Sequence, residues 1–133
     1  MQQLIHTTLA QHWGSLQAGI TLSTPDDAKG SSFNITSVEN DAVSITTQGG
    51  SLIRINRAAF AEAFFYLAQN LHTAIRPCEI GSNKDINAAS ALCVSTRHAN
   101  GSNIMIINYL LPLLAHMGLV GVAGTRPNTT WLL

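Results

Sequence analysis

Apolar residues recur along the chain with two different periods, and the switches between them mark out its elements. Ile5, Leu9, Trp13 and Leu16 fall at helical spacing, which predicts an amphipathic helix over 2–13 ending near Gly14. Ile20 and Leu22 alternate with Thr21 and Ser23 as a short strand, and 24–30 reads as a loop by its Pro, Asp and Gly content. The clearest alternation follows. Phe33 and Ile35, Val43 and Ile45, and Ile53 and Ile55 each alternate with intervening residues, and the turn sequences Glu39-Asn40-Asp41 and Gln48-Gly49-Gly50 separate them. Three strands joined by tight turns predict an antiparallel meander with one buried face.

The helical period resumes at Phe60, Phe64, Leu67 and Leu71. This predicts a helix over 57–71, capped by the Asn56 side chain, whose aromatic stripe packs on the meander as core. Residues 75–80 read as an edge strand with Cys78 and Ile80 inward, because Pro77 excludes a central position. Residues 85–96 fit a helix through Ile86, Ala89 and Leu92, and a strand through Leu92 and Val94. A polar loop over 97–102 leads into a helix over 103–117, capped by Ser102 or Asn103, bent near Asn108 by Pro112 and stopped by Gly118. Residues 119–122 and 129–132 form a terminal hairpin. The expected fold is α+β, a single domain over 1–133: an antiparallel β-meander packed by two helices, with a C-terminal helix and β-hairpin.

Composition sharpens this picture. Charged residues are 11% of the chain, under half the usual ~25%, so much of the surface is neutral or apolar and suited to a homodimer interface. Seven basic residues balance seven acidic ones, which excludes strong nonspecific attraction to polyanions by the whole chain. The distribution is uneven, however: residues 86–133 contain Arg97 and Arg126 and no acid. The segment from Ile104 to Ala123 is apolar and long enough to span a bilayer. Asn108, Tyr109, Pro112, His116 and two glycines interrupt it without a flanking basic cluster, so it reads as a buried helix and strand, with no membrane partner. The chain start lacks a secretory pattern and two cysteines are too few for a disulfide framework, so a cytoplasmic location is expected.

Candidate chemistry is sparse. No phosphate-binding loop, dinucleotide fingerprint or nucleophile elbow is present, which points away from an enzyme, and no cofactor is expected. His72, Cys78, Cys93 and His98 offer zinc-type donors, but their spacings of five, fourteen and four intervening residues contain no tight pair, so no metal site is expected. The best candidate is the loop Arg97-His98-Ala99-Asn100-Gly101-Ser102. It enters a helix start, whose free amides and partial positive charge suit an anion. Arg97, His98, Gly101, Ser102 and Asn103 would hold a phosphate or a small anionic ligand.

Residues 103–133, with the string from Leu110 to Leu133, resemble the end of a winged-helix domain, in which a helix passes through a Gly-Leu-Val corner, here Gly118-Leu119-Val120, into a two-stranded wing. The resemblance covers about a quarter of the chain and implies DNA binding, with Arg126 at the wing tip on a groove or backbone. The 103–117 helix departs from that pattern, since Ile, Met and Leu cover most of its circumference and few polar groups remain to meet a base edge. The short, motif-poor chain is also similar in type to orphan bacterial proteins carried by mobile gene cassettes. Two functions follow as expectations: a small non-enzymatic accessory protein that binds DNA through its C-terminal end, or a homodimeric module for a small molecule or protein with no nucleic-acid role.

Overall fold

The two sequence periods fold into two antiparallel sheets bridged by four helices, in a computed structural model that describes residues 1–133. Helix α1 (Gln2–His12) buries Ile5 and Leu9 and continues as a single 3-10 turn that buries Trp13. Strands β1 (Thr21–Ser23), β2 (Ser32–Val38), β3 (Ala42–Thr47) and β4 (Leu52–Asn56) form a four-stranded antiparallel sheet in sequence order. The period-two pattern does what alternation requires: Phe33, Ile35, Val43, Ile45 and Ile55 point into the core and are at most 1% exposed. A positive φ at Gly50 makes the tight β3–β4 turn possible.

Helix α2 (Arg57–Gln69) follows β4 directly. Phe60 meets the Trp13 ring edge-on at 4.9 Å, and the Arg57 guanidinium lies 4.2 Å from the Trp13 ring centre. The indole Nε1 of Trp13 donates to the Glu39 carbonyl, tying α1 to the β2–β3 turn. Two expectations for α2 are corrected. Asn56 is not a side-chain cap, because its amide is committed elsewhere. The helix also stops before Leu71, which takes a positive φ and is 67% exposed.

Strand β5 (Cys78–Glu79) is only two residues long, shorter than the expected 75–80, and forms the edge of a second sheet. It pairs with β7 (Thr129–Leu132), which pairs with β6 (Val120–Ala123), giving the order β5-β7-β6. Between them lie α3 (Ala91–Ala99) and α4 (Ile107–His116). The ambiguous segment is thus a helix, with Ser90 as its cap through a bond from the Cys93 amide. The expected 97–102 loop is corrected: Arg97, His98 and Ala99 form the last turn of α3, and Gly101 ends it at positive φ. Helix α4 starts at Ile107, not 103, because Ser102 Oγ is used in a local turn, accepting from the Ile104 amide. Pro112 is buried inside α4, and Gly118 at positive φ stops it.

One apolar cluster of 27 buried residues runs from α1 through the meander and α2 to α4 and β6. Six of the ten residues of α4 are buried, and Tyr109 packs edge-on against Phe33 of β2 at 5.3 Å. No helix is long and apolar enough to cross a membrane.

Candidate anion-binding site

The expected site residues do not come together as one surface. Arg97 is fully buried. Its Nη1 donates to the Lys84 carbonyl at 3.1 Å, its Nη2 donates to the Asn83 carbonyl, and Nη2 also lies 3.5 Å from Cys93 Sγ. This guanidinium has no carboxylate partner and its Nε is unpaired, so it braces the 83–84 backbone from behind and offers solvent nothing. His98, Gly101, Ser102 and Asn103 are exposed, but three residues separate Asn103 from the first helical residue Ile107. Arg126 does sit in the β6–β7 hairpin loop, 59% exposed, where Asp26 Oδ2 accepts from its Nε at 2.9 Å. The two cations of the acid-free C-terminal third are therefore both engaged, Arg97 inside the fold and Arg126 by Asp26 at the surface.

A census of the other cations changes where an anion could go. Arg54 reaches Glu39 and Asp41 at 3.6 and 3.5 Å, and Arg57 is stacked on Trp13. Lys29, Arg76 and Lys84 are exposed and have no acidic partner. Two of these three flank the start of α4. One hollow of about 260 Å³ is lined by Lys29, Ser31, Ser82, Asn108 and Tyr109, and a second of about 370 Å³ by Lys84, Asn103, Thr47, Ser51 and Tyr109. They meet at Tyr109. Asn108 Nδ2 donates to Ser82 Oγ at 3.0 Å, which fixes the wall between α4 and the 81–84 segment.

The chemistry of this groove is neutral-polar with a positive bias. Helix α4 has no side-chain cap; its Tyr109 amide donates to the Ile106 carbonyl at 2.9 Å, which leaves the Ile107 and Asn108 amides to carry the positive end of the helix dipole. Hydroxyls and carboxamides supply donors around them. The acid in the groove is Asp26, whose carboxyl is held below its usual value chiefly by hydrogen bonds from the Lys29 and Ala28 amides, with Arg126 adding to them. Of the expected residues, Asn103 lines the groove, and Arg97 serves it indirectly. Lys29, Ser82 and Lys84 carry no sequence signal for a site, since the 24–31 loop and the 81–84 segment are far apart in the chain and no spacing connects them to each other or to Tyr109.

Elsewhere the titratable groups do not converge. No three His, Cys, Asp or Glu side chains gather at metal-binding distance. Both thiols are buried, and burial pushes the Cys78 thiol up, away from the reactive thiolate. No protein-family model matches the chain, and no curated protein or solved structure is significantly similar to it.

Proposed function

We propose that this chain is a small non-enzymatic binding protein that holds a nucleic-acid backbone along the groove at the start of α4. The carrying observation is that two unpaired lysines, Lys29 and Lys84, flank that uncapped helix start. The order of elements supports the winged-helix-like reading: α3, a short connection, α4 and then the β6–β7 hairpin run consecutively, the arrangement in which a second helix and a wing face nucleic acid. Burial of α4 against the meander argues for contact with phosphates rather than insertion of the helix into a groove, because only Asn108, Tyr109, Ala115 and His116 of the helix retain exposure.

Fluorescence anisotropy of a labelled duplex across a salt series tests this. Each phosphate neutralised contributes about −0.9 to the slope of log affinity against log salt. The wild type should show a slope of about −2, and Lys29→Ala or Lys84→Ala should each weaken binding and make the slope shallower by about one. Absence of binding at low salt removes this reading. A second reading, a homodimeric or protein-docking module, draws on Leu52 and Ile104, 67% and 54% exposed, which line a common hollow beside β4. Light scattering giving a dimer mass that Leu52→Ser with Ile104→Ser reduces to the monomer would favour it.

A further inference from the structure

We infer that the acidic loop between β1 and β2 is a latch over the wing, and that opening it adds Arg126 to the phosphate-binding groove. This rests on the nucleic-acid reading above. Three contacts of different kinds hold the loop down. Arg126 Nε donates to Asp26 Oδ2 at 2.9 Å. The Asp27 amide donates to the Gly124 carbonyl at 3.0 Å. Gly124 also allows the close approach itself, since a Cβ there would overlap the Pro25 carbonyl and the Asp27 carboxylate.

The groove makes the consequence specific. The hollow containing Lys29 runs into the one containing Arg126, and Asp26, Ser82 and Asn128 line both. A carboxylate therefore occupies the guanidinium at the point where the line of cations Lys84, Lys29 and Arg126 would otherwise continue. Glu79 borders the same end. A phosphate backbone lying along Tyr109 must displace the Asp26 carboxylate before it gains the third contact.

Asp26 does two things with two oxygens, and they can be separated. Oδ1 accepts the Ala28 and Lys29 amides at 2.8 and 3.0 Å, which shapes the loop, and Oδ2 binds Arg126. Asp26→Asn keeps an oxygen for the turn and presents an NH2 group where Arg126 needs an acceptor. Gly124 is not at positive φ, so its backbone tolerates alanine, and Gly124→Ala lifts the loop by bulk with no change of charge. Asp27→Asn changes the charge as Asp26→Asn does, at a carboxylate with no hydrogen-bond or ion-pair partner.

The experiment measures duplex binding by anisotropy across a salt series, together with amide hydrogen exchange of 24–30, in the full chain. Asp26→Asn and Gly124→Ala should each bind about fivefold tighter at low salt with a slope steeper by about one, Asp27→Asn should gain far less, and Arg126→Ala should cancel the gain. Exchange of 24–30 should be faster in Gly124→Ala without any DNA. Equal gains in Asp26→Asn and Asp27→Asn, with Gly124→Ala unchanged, overturn the latch in favour of overall charge. Unchanged exchange in Gly124→Ala overturns it structurally. Faster exchange with no binding by any variant overturns the nucleic-acid reading, and with it the role given to Arg126, while leaving the loop's own mobility measured.

Discussion

Two of the contacts that stitch the meander half of this protein to its helical half are built on opposite principles. At one end, Asn56 and Asn100 form a reciprocal pair. Asn100 Oδ1 accepts the Asn56 amide at 2.7 Å, Asn100 Nδ2 donates to the Arg54 carbonyl at 3.1 Å, and Asn56 Nδ2 donates to the Asn100 carbonyl at 3.2 Å. Asn100 is only 8% exposed. At the other end, Arg126 and Asp26 meet in solvent. The first seam is neutral, buried and made of backbone partners, so breaking it leaves polar groups stranded. The second is charged and wet, so water and salt replace it readily. One side is thus held by buried neutral bonds, and the other by an exposed ion pair beside a single backbone bond from Asp27 to Gly124.

The largest expected effect comes from breaking the buried seam. Strand β4 is the open edge of the first sheet, and Asn100 occupies two of its outward backbone groups as a neighbouring strand would. Asn100→Ala strands both and should lower unfolding stability by about 2–3 kcal/mol, read by urea denaturation. It also uncovers a piece of strand edge, so the variant should self-associate at concentrations where the wild type does not change mass. A loss below about 0.5 kcal/mol would show that β4 does not depend on this side chain.

That seam also marks where the sequence stops being readable. The meander was legible because Phe33, Ile35, Val43 and Ile45 alternate on a half-buried sheet, and β-structure of this kind writes its burial into a period of two. Helix α3 was not, because its inward face carries Thr96 and Arg97, both fully buried, beside Leu92 and Cys93. Polar residues at core positions hide how far the buried face of the helix extends. Ser102 and Asn103 have the chemistry of caps, yet Ser102 bonds within a turn and α4 starts only at Ile107. Asn56 looked like the cap of α2 and is instead half of a contact with a residue 44 positions away. Local chemistry proposes a partner, and tertiary packing reassigns it. The groove cations were hidden for the same reason: what distinguishes Lys29 and Lys84 from Arg54 and Arg126 is that no carboxylate pairs with their side chains, which only the folded chain decides.

Arg97 tests whether the helical half braces the groove. A buried guanidinium without a carboxylate is costly to keep charged, so an apolar side chain of similar length should be tolerated. Arg97→Met should change stability by less than about 1 kcal/mol, while Arg97→Ala, which leaves a cavity, should lose about 2–4 kcal/mol. Both remove the bonds to the Asn83 and Lys84 carbonyls. Hydrogen exchange over 81–89 should therefore accelerate in the methionine variant even though the global melting midpoint barely moves. Unchanged exchange there would mean that the segment is held by Ser90, whose Oγ donates to the Ile80 carbonyl, and not by Arg97.

The smallest effect, and the one confined to the wet seam, is acid. The native Asp26 carboxyl ionises below its usual value of 3.8. A depressed carboxyl stabilises the folded loop fully above that usual value and loses its contribution as pH falls through the lowered native one. The Asp26 contribution is thus complete at neutral pH and is lost only in acid below that usual value. Protonation differs from Asp26→Asn in what it removes. The amide bonds from Lys29 and Ala28 outrank the Arg126 contact in holding the carboxyl ionised, so a proton weakens the turn as well as the ion pair, whereas asparagine keeps the turn. Nuclear magnetic resonance of the Ala28 and Lys29 amides, followed from pH 6 to pH 2, should show them losing their hydrogen-bonded shifts together in the wild type and staying nearly constant in Asp26→Asn. The Asn56 amide, held by the uncharged Asn100 carboxamide, should not move over the range in which Asp26 titrates.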